Sequence, residues 1–239
     1  MEALLLTVLP MHAVLGEWSP KGTWTQVASM PSKRMEGAMA SIGDGRVAYV
    51  GGSFESKDNR PFASAVLYTS STNTWTSLPD MSYPRDAPGL CVIGKRLYAF
   101  GGAIKFSVPP SMVTTYTDTV EYLDVDTASA WHPAPSLPFN VTSPSVATIS
   151  DGSGCVIAGG FTGMPSDFEY RHDVHFFDGK KYTPLPRMPF GRSNMGIAAT
   201  RAGVYVVGGG ATDPSYYNAS FLAYDPTSTS SRSPMHART

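Results

Sequence analysis

The chain has 239 residues, 42% of them hydrophobic and only 15% charged, with a formal net charge of −1. That balance lacks the basic face which DNA or RNA binding needs, and the apolar share excludes wholesale disorder. Gly (23) and Pro (20) together make up nearly a fifth of the residues, so many turns and few long surface helices are expected.

Ala3 to Leu9 is apolar, and the trend continues from Met11 to Gly16. Glu2 leads the run without Lys or Arg, and Pro10 and His12 interrupt it, so a secretory leader stands as the alternative reading. Ala13-Val14-Leu15 followed by Trp24 matches Ala65-Val66-Leu67 followed by Trp75 within one residue, which predicts the outer half of a small sheet. No apolar run reaches the roughly 18–20 residues of a membrane-spanning helix.

From there the sequence repeats itself. Gly51-Gly52, Gly101-Gly102, Gly159-Gly160 and Gly208-Gly209 recur at spacings of 50, 58 and 49 residues. Each pair ends a β-branched or aromatic run: Arg46 to Val50, Arg96 to Phe100, Cys155 to Ala158, and Val204 to Val207. Trp24, Trp75, Trp131 and Tyr182 keep the same register, 51, 56 and 51 residues apart. After the aromatic come Met30 to Arg34, Met81 to Arg85 and Met188 to Arg192; the third copy, Leu137-Pro138-Phe139-Asn140, has no Arg, and Met235 to Arg238 is a shortened echo. A further run ends at Tyr68, Asp124, Asp178 and Asp225. One unit thus holds four strand-like runs separated by turn residues. Asp44-Gly45 and Asp151-Gly152 sit where a tight hairpin needs positive φ. A lone four-stranded sheet cannot bury both faces, whereas copies packed face to face around an axis can. Gly-Gly suits the crowded end of an inner strand, and the large aromatic suits packing between sheets.

Cys91 and Cys155 each lie inside an apolar run and are expected as two buried free thiols, in a reduced cytoplasmic setting. Asn140-Val141-Thr142 and Asn218-Ala219-Ser220 are glycosylation triplets, relevant only in a secreted chain. His172 and His175, three apart in a strand, point to opposite faces and are not expected to share a metal. Asp124 and Asp126 are expected to cap a turn. Gly208-Gly209-Gly210 follows a strand but precedes Asp213-Pro214, which is not a phosphate-binding context. No metal and no cofactor are expected.

The Gly-Gly, the spaced aromatic and the period near 50 residues resemble the kelch repeat. The resemblance implies an all-β fold: a kelch-type β-propeller of four-stranded antiparallel blades, about 4–5 in this chain. A single domain over residues 1–239 is expected, with 1–33 a partial or degenerate blade and repeats at 34–84, 85–139, 140–191 and 192–239. Four blades, five, or an incomplete piece of a larger ring remain open. The resemblance further implies a protein-interaction module without catalysis, its partner a protein with an acidic motif; the near-neutral charge and the short apolar runs imply no nucleic acid and no membrane. Arg34, Arg85 and Arg192, with Asn140 at the remaining copy, are the expected partner-binding residues around the central mouth. Bridging adjacent blades is the competing role for the three arginines. Long loops at Ser53 to Ala63, Ala103 to Asp118, Phe161 to His172 (with Asp167 and Glu169) and Ala211 to Asn218 would add aromatic anchors: Phe54, Phe62, Phe106, Tyr116, Phe168, Tyr170, Tyr216 and Tyr217. The alternative is a sugar-acid epimerase or mutarotase of the same family, with Glu36 and Arg34 in the mouth.

Overall fold

The computed structural model describes residues 24–54, 60–108, 111–163, 168–210 and 221–225. The N-terminal run to Leu15, Tyr216, Tyr217, Asp167, Asn218, the segment Ser228 to Pro234 and Arg238 lie outside the described residues, and so does the side chain of Phe106. Among the described residues there is no helix.

The first sheet holds β1 (Ala38–Gly43), β2 (Arg46–Val50), β3 (Ala65–Thr69) and β4 (Thr74–Leu78). The second holds β5 (Gly89–Ile93), β6 (Arg96–Phe100), β9 (Val120–Asp124) and β10 (His132–Ala134). A two-stranded hairpin, β7 (Ala103–Val108) and β8 (Ser111–Tyr116), is inserted between β6 and β9. The third sheet holds β11 (Ser145–Thr148), β12 (Cys155–Ala158), β15 (Val174–Phe177) and β16 (Tyr182–Leu185). Its own short insert pairs β13 (Phe161–Thr162) with β14 (Glu169–Tyr170). The fourth sheet shows β17 (Gly196–Thr200), β18 (Gly203–Val207) and β19 (Phe221–Tyr224). Every sheet is an antiparallel meander in chain order.

The four sheets are blades of a β-propeller. Their first strands line the axis: β1 lies beside β5, β5 beside β11, and β11 beside β17. Apolar side chains fill the space between blades. Ala48, Val50, Leu97 and Trp131 pack between the first and second, Tyr98, Phe100, Ile157 and Phe177 between the second and third, and Val156, Ala158, Val204 and Val206 between the third and fourth. Both faces of a middle blade are therefore covered, and all four residues of β12 are buried.

The fourth-strand aromatics join neighbouring blades by hydrogen bonds as well as by area. Trp75 Nε1 donates to the Ala28 carbonyl, Trp131 Nε1 to Pro79 and the Tyr182 hydroxyl to Pro135, each at 2.8 Å. Trp24, expected in the same role, is fully exposed among the described residues.

Two expectations are corrected. Cys91 and Cys155 are not free thiols but form a disulfide, with Cα atoms 6.4 Å apart. Each is buried in its own strand, and the packing of β5 against β12 brings the two together. The thiol argument for a reducing compartment therefore no longer holds. Asp124 and Asp126 do not cap the turn with their carboxylates. Asp124 pairs with Arg96, while Asp126 reaches across to Arg46 of the first blade.

Candidate functional site

Strand register sorts the loops between the two ends of the ring. Gly89 of β5 pairs with Phe100 of β6, so the start of the inner strand and the Gly-Gly at the end of the second strand share one end. The inserted hairpins rise from that same end. A shallow cavity of about 250 Å³ opens there, lined by Glu36, Ala87, Ser143, Asn194 and their neighbours. The opposite mouth is lined by the first hairpin turns, Gly43, Gly94 and Ser150 to Gly152 among them.

Four residues at the start of the inner strands share one backbone conformation. Glu36, Ala87, Ser143 and Asn194 have φ of 55°, 47°, 51° and 53°, the left-handed region that L side chains seldom occupy. Their backbones run around the rim: Ala87 N–H donates to the Glu36 carbonyl at 2.7 Å, and Ser143 N–H to that of Ala87 at 2.9 Å. The residue before each one bridges the chain just past the Gly-Gly: Met35 with Ser53, Asp86 with Ala103, Thr142 with Phe161, Ser193 with Gly210. Glu36 and Asn194 are exposed, and Ser143 and Ala87 half-buried.

One residue further back stand the arginines, and they do not face the mouth. Arg85 and Arg192 have no exposed surface. Arg85 Nη1 donates to the Gly101 carbonyl at 2.6 Å and to that of Thr119 at 2.9 Å. Its Nε and Nη2 donate to Glu121 Oε1 at 3.1 and 2.9 Å. Burial pulls this guanidinium below its ordinary value, and the Glu121 carboxylate opposes the shift. Arg192 Nη1 donates to the Gly208 carbonyl at 2.7 Å, with the guanidinium 4.3 Å from the centre of the Phe190 ring. Arg34, half-buried, donates to Gly51 and Ser64 carbonyls at 3.3 and 3.1 Å and lies 4.6 Å from the Phe62 ring centre. Arg34 and Arg85 thus hold their own blade's Gly-Gly turn against the base of the third strand, and Arg192 grips the Gly-Gly turn of its blade.

The third copy shifts by one residue from the sequence alignment. Gly52 N–H donates to the Arg85 carbonyl, Gly102 to Val141 and Gly160 to Arg192. The counterpart of the arginines is therefore Val141, fully buried, and not Asn140, which is exposed. The counterpart of Glu121 in that blade is His175, whose imidazole burial holds below its ordinary value. A guanidinium still stacks nearby: Arg171 lies 4.2 Å from the Phe139 ring centre and pairs with Asp173.

Beside the mouth the inserts of the second and third blades meet through aromatic rings. Phe161 has Phe168 at 4.8 Å and Tyr116 and Tyr170 each at 5.8 Å, and all four are half-buried. Among the described residues, no His, Cys, Asp and Glu side chains gather as three possible metal ligands. His172 instead has its Nδ1 3.4 Å from the Met188 carbonyl.

A family model described as the Kelch motif matches residues 84–138. Kelch-like protein 1 of Mus musculus is 54% identical over 35 residues, 15% of this chain and 5% of that protein. The solved structure of YjhT matches with a TM-score of 0.65 at 17% identity, over 80% of this chain and 64% of that one. The chain is a β-propeller that carries a kelch motif in its second blade. It spans less than two thirds of either relative, and the likeness to YjhT is one of fold. No helix among the described residues is long and apolar enough to cross a membrane.

Of the residues expected at the central mouth, Glu36 is there and the three arginines are not. Arg34, its expected partner in an epimerase, is bonded to Ser64 and Gly51. Ala87, Ser143 and Asn194 were not singled out from sequence. The signal for Ala87 and Asn194 is a residue two after the Arg, before the inner strand begins; Ser143 stands two after Val141, where no Arg marks it.

Proposed function

We propose that residues 1–239 act as one kelch propeller domain that binds a partner protein on the face where the inner strands begin. The observation that carries this reading is the joined pair of inserts. Tyr116, Phe161, Phe168 and Tyr170 make a half-buried aromatic cluster beside a mouth whose backbone is held by hydrogen bonds. Tyr and Phe on a rigid support are suited to anchoring a partner at small entropic cost. An acidic partner motif loses the support it drew from Arg85 and Arg192, since both guanidinium groups are buried. The buried Cys91–Cys155 bond favours an oxidising compartment over the cytoplasm.

The test is binding by the full chain to candidate partner proteins, with two variants. Phe168→Ala/Tyr170→Ala is expected to lose binding at least tenfold while melting near the parent. Ser150→Arg, at the opposite mouth, is expected to bind as the parent does. Equal binding by all three proteins refutes the assigned face.

A further inference from the structure

Asn140 opens the triplet Asn140-Val141-Thr142, an acceptor of N-linked glycan in chains that enter the secretory pathway. Three features of the fold bear on it. Asn140 is exposed in the loop that enters β11, while its neighbour Val141 fills the buried position of the repeat. A glycan on Asn140 therefore reaches solvent without displacing a contact between blades. Second, Cys91 and Cys155 are bonded across the same pair of blades that this loop joins, and such bonds persist in oxidising compartments. Those are the compartments in which the triplet is read. Third, Thr142 is buried at 2%: its N–H donates to the Phe161 carbonyl at 2.9 Å and its hydroxyl to the Asp86 carbonyl at 3.4 Å. The hydroxyl that completes the triplet is out of reach once the third blade has docked.

We infer that Asn140 is an N-glycosylation site, modified on the nascent chain before the third blade closes on the second. The Asn140 Nδ2 bonds to the anomeric carbon of a lipid-diphosphate oligosaccharide. The bond from that carbon to the diphosphate oxygen breaks, the lipid diphosphate leaves, and one amide proton passes to the transferase base or solvent. The inference does not rest on the protein-binding reading above, and either can fail alone.

The full chain is expressed with its own N-terminus in eukaryotic cells and digested with peptide N-glycosidase in ¹⁸O water, which leaves labelled Asp at each occupied site. Labelled residue 140 in most copies is expected, together with a gel shift that Asn140→Gln abolishes and Thr142→Ser retains. An unlabelled Asn140, or label at Asn218 alone, overturns the inference. So does alkylation of Cys91 and Cys155 without prior reduction. The timing has its own check: unmodified, folded chain made in bacteria should stay unmodified when incubated with the transferase and its lipid donor. Efficient modification of that folded protein overturns the order of events.

Discussion

The buried Arg85–Glu121 pair offers a sharp test of how a blade of this propeller is held together. Both side chains are nearly sealed, at 1% and 4% exposure, with Nη2 and Oε1 2.9 Å apart. Oε2 also accepts from the Ser82 N–H at 2.8 Å, so the carboxylate ties the arginine to the loop that carries it. Removing one partner leaves the other charged in a medium that solvates it poorly. Glu121→Leu or Arg85→Leu is therefore expected to cost about 3–5 kcal/mol. At roughly 2–4 °C per kcal/mol for a chain of this size, that is a fall in Tm on the order of 10 °C. Replacing both with leucine is a different perturbation, because no charge is stranded. The cost should drop to about 2 kcal/mol, mostly from the Gly101 and Thr119 carbonyls losing a donor. The third blade already makes a comparable exchange, with Val141 and His175 at these positions. The assay is chemical denaturation of the four proteins of the cycle, with unchanged slope as the sign of a two-state comparison. Single variants that lose under about 1 kcal/mol, or a double variant that loses as much as both singles summed, would refute the account.

Three further outcomes follow from the same structure. Gly101→Ala should destabilise by about 2 kcal/mol, because the residue sits at φ 58° and a Cβ would come within 2.6 Å of the Val141 carbonyl; Gly94→Ala, with open space and φ 61°, separates backbone strain from the clash. Removing the disulfide by Cys91→Ala/Cys155→Ala should cost about 4 kcal/mol on loop entropy for a 64-residue separation, read as a lower denaturation midpoint. Burial depresses the His175 imidazole, with Asp173 opposing and Arg171 and Arg187 adding to the shift. The unfolded chain then binds this proton more readily, so His175 contributes stability above pH ~6.5 that is lost as pH falls. His175→Phe should flatten the stability profile between pH 7 and 5. An unchanged slope there would assign the loss to other groups.

Much of the fold was legible because the propeller repeats its needs. Gly-Gly marks the turn where one blade's backbone meets its neighbour's carbonyl, and only residues without Cβ fit that approach at positive φ. The aromatics at Trp75, Trp131 and Tyr182 serve a position that demands both area and a donor. What stayed hidden depends on how blades meet in space. The partnership of Cys91 and Cys155 arises only when β5 of one blade packs on β12 of the next, and at a sequence separation of 64 the chain between them carries no trace of it. The arginines misled for a related reason. A residue repeated around an axis points either to the mouth or into its own blade, and spacing is the same in both cases. Their partners are backbone carbonyls at Gly51, Gly101 and Gly208, which every sequence possesses. The third copy was misaligned because Asn140 looked like the polar substitute for Arg. Counting four residues from Leu137, as from Met81 to Arg85, leads to Val141.

The division of labour at the mouth follows from these contacts. Invariant needs of the repeat are met by backbone groups and by buried side chains. The guanidinium grips the Gly-Gly turn, the bridge past Gly-Gly fixes the loop, and the next residue is turned to positive φ at the rim. That rim residue donates and accepts through its backbone alone at Ala87, so its side chain is released from any structural duty. Glu, Ala, Ser and Asn occupy the four positions at nearly the same φ. A shared backbone conformation with different side chains fits the proposed binding face, where one scaffold would present a different group on each blade. The aromatic inserts add area on one side only, at the second and third blades. Under the proposed binding, apolar rings on one flank of the mouth and the exposed Glu36 on another would make the two flanks unlike, and that asymmetry would favour a single orientation of docking on a nearly symmetric scaffold.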